Sequence, residues 1–359
     1  MTRIAIVTDQ DSRSGIGTYA TRLYHLMKRH YPSIQLYFMN YLDVELPEYA
    51  MRIPGTITAP SLPLAPLVIR HNRSKARAFL GENFDLVHFC GVDYALTDIP
   101  TKTIATVHDH YARPLWSAVR SDLRRFLIEL YTFSEFLMSC RYLANADGLV
   151  SISECTSKDL ALHCGLSSTV IHHWIEHARF QPRDKTLSRA ALNLPANRRI
   201  LLNVSQNSIN KRLSTLAKIV NSLDDSFLLV KVGSAMPNLS VPYIHISAAD
   251  ESVYSLLFNA VDIYIHTSLK EGFCIPLIEA MASGLPIVSF DTPIAREVLG
   301  EAVIFAQEGK IDWNALLNIV NENKFRDTLV HAGLARALSF DKSDAAKSYQ
   351  TVYERVLTA

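Results

Sequence analysis

Leu269-Lys-Glu-Gly-Phe-Cys-Ile-Pro-Leu-Ile-Glu-Ala-Met-Ala-Ser-Gly-Leu-Pro-Ile-Val-Ser289 decides how the chain is read. Its order is loop, helix, stop, strand. Pro276 suits a first helical turn, where its missing N–H has no partner to lose. Gly284 ends the helix and Pro286 keeps it from resuming. Gly272 lets backbone approach a ligand closely. A loop that opens a helix in this way aims amide N–H groups and the positive end of the helix dipole at one point, which is an anion site. Glu279 falls one turn into the helix, within reach of hydroxyls on a ligand held there. Read alone, Glu279 is one more helical glutamate; Gly272, Pro276 and Gly284 weight the reading towards a site.

On both sides of this stretch short β-branched runs alternate with longer helical patterns, the mark of parallel α/β sheets. Strands are expected at 3–8, 35–39, 86–89, 103–107, 148–152 and 170–172, with helices at 18–30 and 116–144. The pattern then restarts. Strands fit 200–204, 227–232, 243–246, 263–266, 286–290 and 302–305; helices fit 213–223, 251–260, 276–283 and 312–321. The seam falls at 173–197, where Pro182 and Pro195 interrupt the alternation. The expected fold class is therefore α/β with two Rossmann-like, doubly wound domains, 1–172 and 173–340. A last helix within 341–359 is expected to pack back on the first domain. Ligands in such sheets bind at the carboxyl ends of the strands, so a cleft between the domains is the expected site. Residues 44–66, with five prolines, are read as one long irregular segment.

The run from Glu271 to Glu279 resembles the E-x7-E signature of retaining family 4 glycosyltransferases, enzymes of the GT-B fold. The resemblance extends over about residues 3–340 and is strongest in the second half. It implies transfer of a sugar from a nucleotide-sugar donor to an acceptor (a glycan, a lipid or a small molecule), without a metal ion or other cofactor. It also implies roles. Glu271 lies near the hydroxyls of the transferred sugar and Glu279 holds the ribose. Gly272 and the backbone of Phe273, Cys274 and Ile275 meet sugar or diphosphate. Cys274 departs from the family, which has Gly there.

Other segments follow the family's order. In Leu202-Asn-Val-Ser-Gln-Asn-Ser-Ile-Asn-Lys-Arg-Leu213, Lys211 fits a lysine that neutralises the leaving diphosphate. Asn210 stands where an Arg is expected, and Arg212 is its candidate replacement. Gly15 and Gly17, after the first strand, resemble a glycine loop facing the donor phosphate. They lack the third glycine and the later acid of a dinucleotide fingerprint. His108, at the end of a strand, matches a histidine that bonds the sugar near its anomeric centre; a lone buried histidine is its structural alternative. The catalytic candidates are thus His108, Glu271 and Lys211. Glu297 reads equally well as surface charge. His173-Trp174 replaces an Asn-Gly at the hinge. Asp9-Gln-Asp11 is formally a metal-clamp motif but reads as ordinary loop acids.

The remaining inferences are exclusions. The chain of 359 residues has 36 Lys and Arg against 35 Asp and Glu, which gives no argument for nucleic acid binding. Its 5 cysteines include no C-x-x-C pair and are expected to be reduced, with no zinc site. The start lacks a signal-peptide pattern, so a cytoplasmic enzyme is expected. Arg113, Trp116, Arg120, Leu123, Arg124, Arg125, Phe126 and Leu127 form a basic-apolar stretch. Peripheral contact with an anionic membrane is one reading of it; a packed helix with a solvated basic face is the other, slightly preferred. A nucleotide-sugar epimerase and a catalytically silent sugar-nucleotide-binding protein are the alternative functions.

Overall fold

The computed structural model describes residues 2–10, 14–39, 46–58, 65–92, 95–109, 139–307, 316–319 and 322–359, with 65–67 and 69 as backbone alone. The basic-apolar stretch at 113–127, Asp11 and most of the helices expected at 116–144 and 312–321 lie outside these residues. The chain divides into two compact units, 1–172 with 343–359, and 173–342.

The first unit carries a seven-stranded parallel sheet in the order β3-β2-β1-β4-β5-β6-β7. Its strands are β1 (Ile4–Thr8), β2 (Gln35–Phe38), β3 (Ala50–Arg52), β4 (Leu86–Phe89), β5 (Lys102–Val107), β6 (Gly148–Ser151) and β7 (Thr169–Val170). β1 and β4 are buried at every position, as strands covered on both faces must be. The helices are α1 (Gly15–Lys28), α2 (Ala65–Asn83), α3 (Glu154–Cys164) and, at the end of the chain, α10 (Lys342–Thr358). A buried polar ladder ties α10 into this unit. The Tyr19 hydroxyl meets Thr106 Oγ1 at 2.9 Å and the Tyr349 hydroxyl at 2.7 Å. The His88 ring bonds Thr106 Oγ1 through Nε2 and the Tyr353 hydroxyl through Nδ1, both at 2.7 Å. Burial, and then the neighbouring His108, push the His88 imidazole down to about 3, so the ladder is neutral at physiological pH.

The second unit carries a six-stranded parallel sheet in the order β10-β9-β8-β11-β12-β13. These strands are β8 (Arg199–Ser205), β9 (Phe227–Gly233), β10 (Tyr243–Ile246), β11 (Ile263–His266), β12 (Ile287–Phe290) and β13 (Ile304–Ala306). Around them lie α4 (Lys185–Ala191), α5 (Leu213–Asn221), α6 (Glu251–Ala260), α7 (Ile275–Ala282), α8 (Pro293–Leu299) and α9 (Asn323–Ala337). Strand order reverses between β8 and β11, and the carboxyl ends of the strands at such a reversal are where open α/β sheets bind ligands.

Three expectations are corrected. The segment read as irregular contains the edge strand β3 and the start of α2. β3 has three residues, too few to show a period, and α2 is polar along most of its length. The proline-marked seam contains α4, started by the Asp184 carboxylate accepting from the Leu187 N–H at 2.7 Å. Not every cysteine is a reduced thiol, because Cys140 and Cys164 form a disulfide with Cα atoms 5.4 Å apart. Cys90, Cys155 and Cys274 are not part of that disulfide.

Candidate active site

In the second unit the side chains gather where the sheet order reverses. β8 ends at Ser205, and a turn of 3-10 helix (Ile209–Lys211) follows it. β11 ends at His266, and the loop 267–274 leads into α7. Two bonds stitch these segments together. The Leu269 N–H donates to the Asn210 carbonyl at 3.0 Å, and the Thr267 hydroxyl donates to the Lys211 carbonyl at 2.8 Å. So held, the Lys211 ammonium forms an ion pair with the Glu271 carboxylate, and neither side chain is more than 25% exposed.

α7 begins as its sequence dictates. Pro276 lies in the first turn, and Cys274 at the N-cap has φ 72°, the left-handed conformation that glycine adopts at no cost. A non-glycine residue there costs about 1–2 kcal/mol. Arg212 between the 3-10 turn and α5 has φ 54°, a second such residue beside the same loops. Strain of this kind collects at ligand sites. α7 ends with Gly284 at φ 70° and the Leu285 N–H reaching back to the Ala280 carbonyl at 3.0 Å, a Schellman stop. The Phe273 ring turns away from the loop into the interior. It meets the His173 ring at 5.2 Å and the Phe340 ring at 5.5 Å, both edge-on, which fixes the backbone at 272–275.

Glu279 is 6% exposed, and its Oε2 accepts from the Tyr254 hydroxyl at 2.7 Å. The Tyr254 phenol is driven well above its ordinary range, by burial first and then by Glu279, so it remains the donor. Tyr254 comes from α6 and was not legible as a site residue.

Two further residues escaped the sequence reading. Lys231 in β9 is fully buried, its ammonium held by the carbonyls of Ser205 at 2.5 Å and Val232 at 2.7 Å. Burial and then the charge of Lys211 lower it to about 8. At the same strand end Gly233 has φ 93°, and a Cβ there would sit 2.5 Å from the Ser205 carbonyl oxygen, so only glycine fits. His266 is 3% exposed and is lowered by burial to about 4, the opposing influence of Glu271 notwithstanding. Its place at a strand end is the signal that could have found it.

The first unit positions the other candidates. The Ser14 hydroxyl oxygen caps α1 by accepting from the Gly17 N–H at 2.9 Å, with exposed Gly15 at the first helical position. A Cβ on Gly15 would meet nothing within 4 Å, so that position offers room rather than relief of strain. His108, half-buried just after β5, has the Tyr19 ring edge-on at 4.6 Å. Burial lowers its imidazole to about 4 against a hydrogen bond to the Cys90 backbone, so it is neutral at pH 7.

Family and structural comparisons agree with this architecture. The model for Glycosyltransferase Family 4 matches residues 13–179, and that for Glycosyl transferases group 1 matches residues 184–329. Sucrose-phosphate synthase from Thermosynechococcus elongatus shares the fold over 100% of both chains, with a TM-score of 0.77 at 18% identity. Anabaena HepE in complex with UDP-glucose does so over 100% of both chains, with a TM-score of 0.76 at 15% identity. Among curated relatives, the phosphatidyl-myo-inositol mannosyltransferase of Mycobacterium leprae is 27% identical over 41% of this chain and 42% of its own length. O-antigen chain mannosyltransferase B of Escherichia coli is 30% identical over 23% of each. The matches span less than half the length of these curated relatives. The two glycosyltransferase models together match residues 13–179 and 184–329, and the fold is that of the GT-B glycosyltransferases. No helix among the described residues is long and apolar enough to cross a membrane.

Proposed function

We propose that this chain transfers a hexosyl unit from a nucleoside-diphosphate sugar to an acceptor, with retention of anomeric configuration and without a metal ion. The observation that carries the reading is the Lys211–Glu271 pair beside the first turn of α7, with the buried Glu279 one turn further on. Cleaving the bond to the nucleotide leaves negative charge on the phosphate. The Lys211 ammonium, the amides of residues 273–275 and the dipole of α7 are the groups that stabilise it. Glu271 serves the sugar hydroxyls. Glu279, oriented by Tyr254, accepts from the ribose. His108, neutral and half-buried, offers a hydrogen bond to the sugar, and the Gly15–Gly17 turn offers room for the donor's phosphates.

The neighbours' names support this donor class. HepE was solved with UDP-glucose, and two of the curated relatives named above transfer mannose. The acceptor belongs to the same proposal as a glycan, a lipid or a small molecule. The test is a thermal-shift screen of UDP, GDP and ADP with their glucose and mannose conjugates, followed by NMR of the product of whichever donor binds. A stabilising nucleotide sugar and a product of unchanged anomeric configuration support the reading. Inversion refutes the stereochemical part; stabilisation by none of the donors refutes the whole.

A further inference from the structure

Glu271 also belongs to a second donor set, whose other side chains, His266 and Cys274, sugar transfer does not call upon. His266 closes β11, 3% exposed, and its Nε2 has no hydrogen-bond partner among the described residues. Its Nδ1 faces the Cys274 thiol, with Sγ at 3.7 Å. Ligand atoms of His266, Glu271 and Cys274 all lie within 4.8 Å of one another. Around tetrahedral zinc, sulfur at about 2.3 Å and nitrogen at about 2.0–2.1 Å stand about 3.6 Å apart. The cysteine–histidine spacing already matches that figure, and the Glu271 carboxylate has only to turn inwards.

We propose that His266, Cys274 and Glu271 bind a thiophilic divalent cation, Zn2+, and that the bound ion shuts the site. Sulfur, imidazole and carboxylate are the ligand types zinc takes, and three protein ligands leave its fourth position to water. On binding, the thiol gives its proton to solvent as the sulfur–zinc bond forms, so affinity rises with pH. The Glu271 carboxylate turned to zinc leaves the Lys211 ammonium, and the ion adds positive charge where the sugar's carboxylate partner stood. The cysteine spacing showed no zinc motif, because this set is assembled by the β11 strand end and the left-handed turn at Cys274. Binding is independent of the proposed transfer reaction; only the inhibition rests on it.

The test begins with protein stripped by EDTA and dialysed. Zn2+ is titrated against a chromophoric chelator, and Co2+ is used in parallel for its thiolate charge-transfer absorption. One ion per chain with that absorption is expected. Cys274→Gly, which suits the backbone at φ 72°, and His266→Asn should each weaken binding by at least about 100-fold. Cys155→Ser should bind as the unaltered protein does. In a transfer assay, stoichiometric zinc should stop the unaltered enzyme and EDTA restore it, while the turnover of Cys274→Gly, at whatever level, ignores the same zinc. Absence of one-to-one binding, or binding undiminished in both variants, overturns the site. Equal inhibition of both enzymes overturns the inhibitory role and leaves the binding result standing.

Discussion

Lys211 and Glu271 are joined by an ion pair although 60 residues separate them in sequence. They meet because the β8 and β11 loops leave the sheet on either side of its reversal and are then bonded to each other through Asn210, Lys211, Thr267 and Leu269. The cation of the proposed site is thus placed by one backbone bond and one from the Thr267 hydroxyl, and held by the carboxylate that serves the sugar.

Removing that cation should act on turnover and not on folding. Lys211→Met is expected to lower kcat by about 100- to 1000-fold, the loss of one preorganised donor to a developing anion. Thermal unfolding should stay close to that of the unaltered protein. Kinetics like those of the unaltered enzyme would discard the role.

The nucleotide end of the site is tested by Glu279 and Tyr254. A hydrogen bond to a charged group contributes about 1.5–3 kcal/mol. Glu279→Gln should therefore weaken nucleoside diphosphate binding by about 10- to 100-fold in a calorimetric titration. Tyr254→Phe removes only the group that orients the carboxylate and should cost less. If Tyr254→Phe cost more than Glu279→Gln, the order of dependence would be wrong.

Stability should fall on mild acidification. His88 is held to about 3 by burial, below the ordinary value of 6.5, so the unfolded chain takes up its proton first as pH falls. The contribution of the neutral ladder is complete above about pH 6.5 and is lost progressively towards pH 3. At pH 5 the loss from His88 alone is about 2 kcal/mol. Urea midpoints measured at pH 7 and pH 5 check this; equal midpoints would contradict a buried neutral His88.

Metal removal separates the transfer reaction from zinc binding. Turnover is expected to survive EDTA and dialysis, and added magnesium or manganese should not raise it. An enzyme silenced by EDTA and restored by either ion would reverse the metal-independent reading.

Much of the second unit was legible because its signals are local. Pro276 and Gly284 each have a conformational reason to stand where they do, and helix 251–260 shows its period plainly. The first unit hid more. β3 is too short for periodicity, and α2 is too polar to announce an inward face. His88, Tyr349 and Tyr353 form a ladder only after the last helix returns across the length of the chain. Tyr254 and Lys231 were missed for a related reason. A tyrosine in α6 and a lysine amid the apolar run of β9 acquire meaning from Glu279 and from the Ser205 carbonyl, neither of which is near in sequence. Cys274 was visible as a departure from the family, but only the backbone at φ 72° shows that glycine is what the position favours.

The most direct test is a crystal soaked with UDP or GDP. The account predicts pyrophosphate density against the first turn of α7, within hydrogen-bonding distance of Lys211 and of the amides at 273–275, with the ribose on Glu279. Nucleotide density away from Pro276 and Lys211 would contradict it.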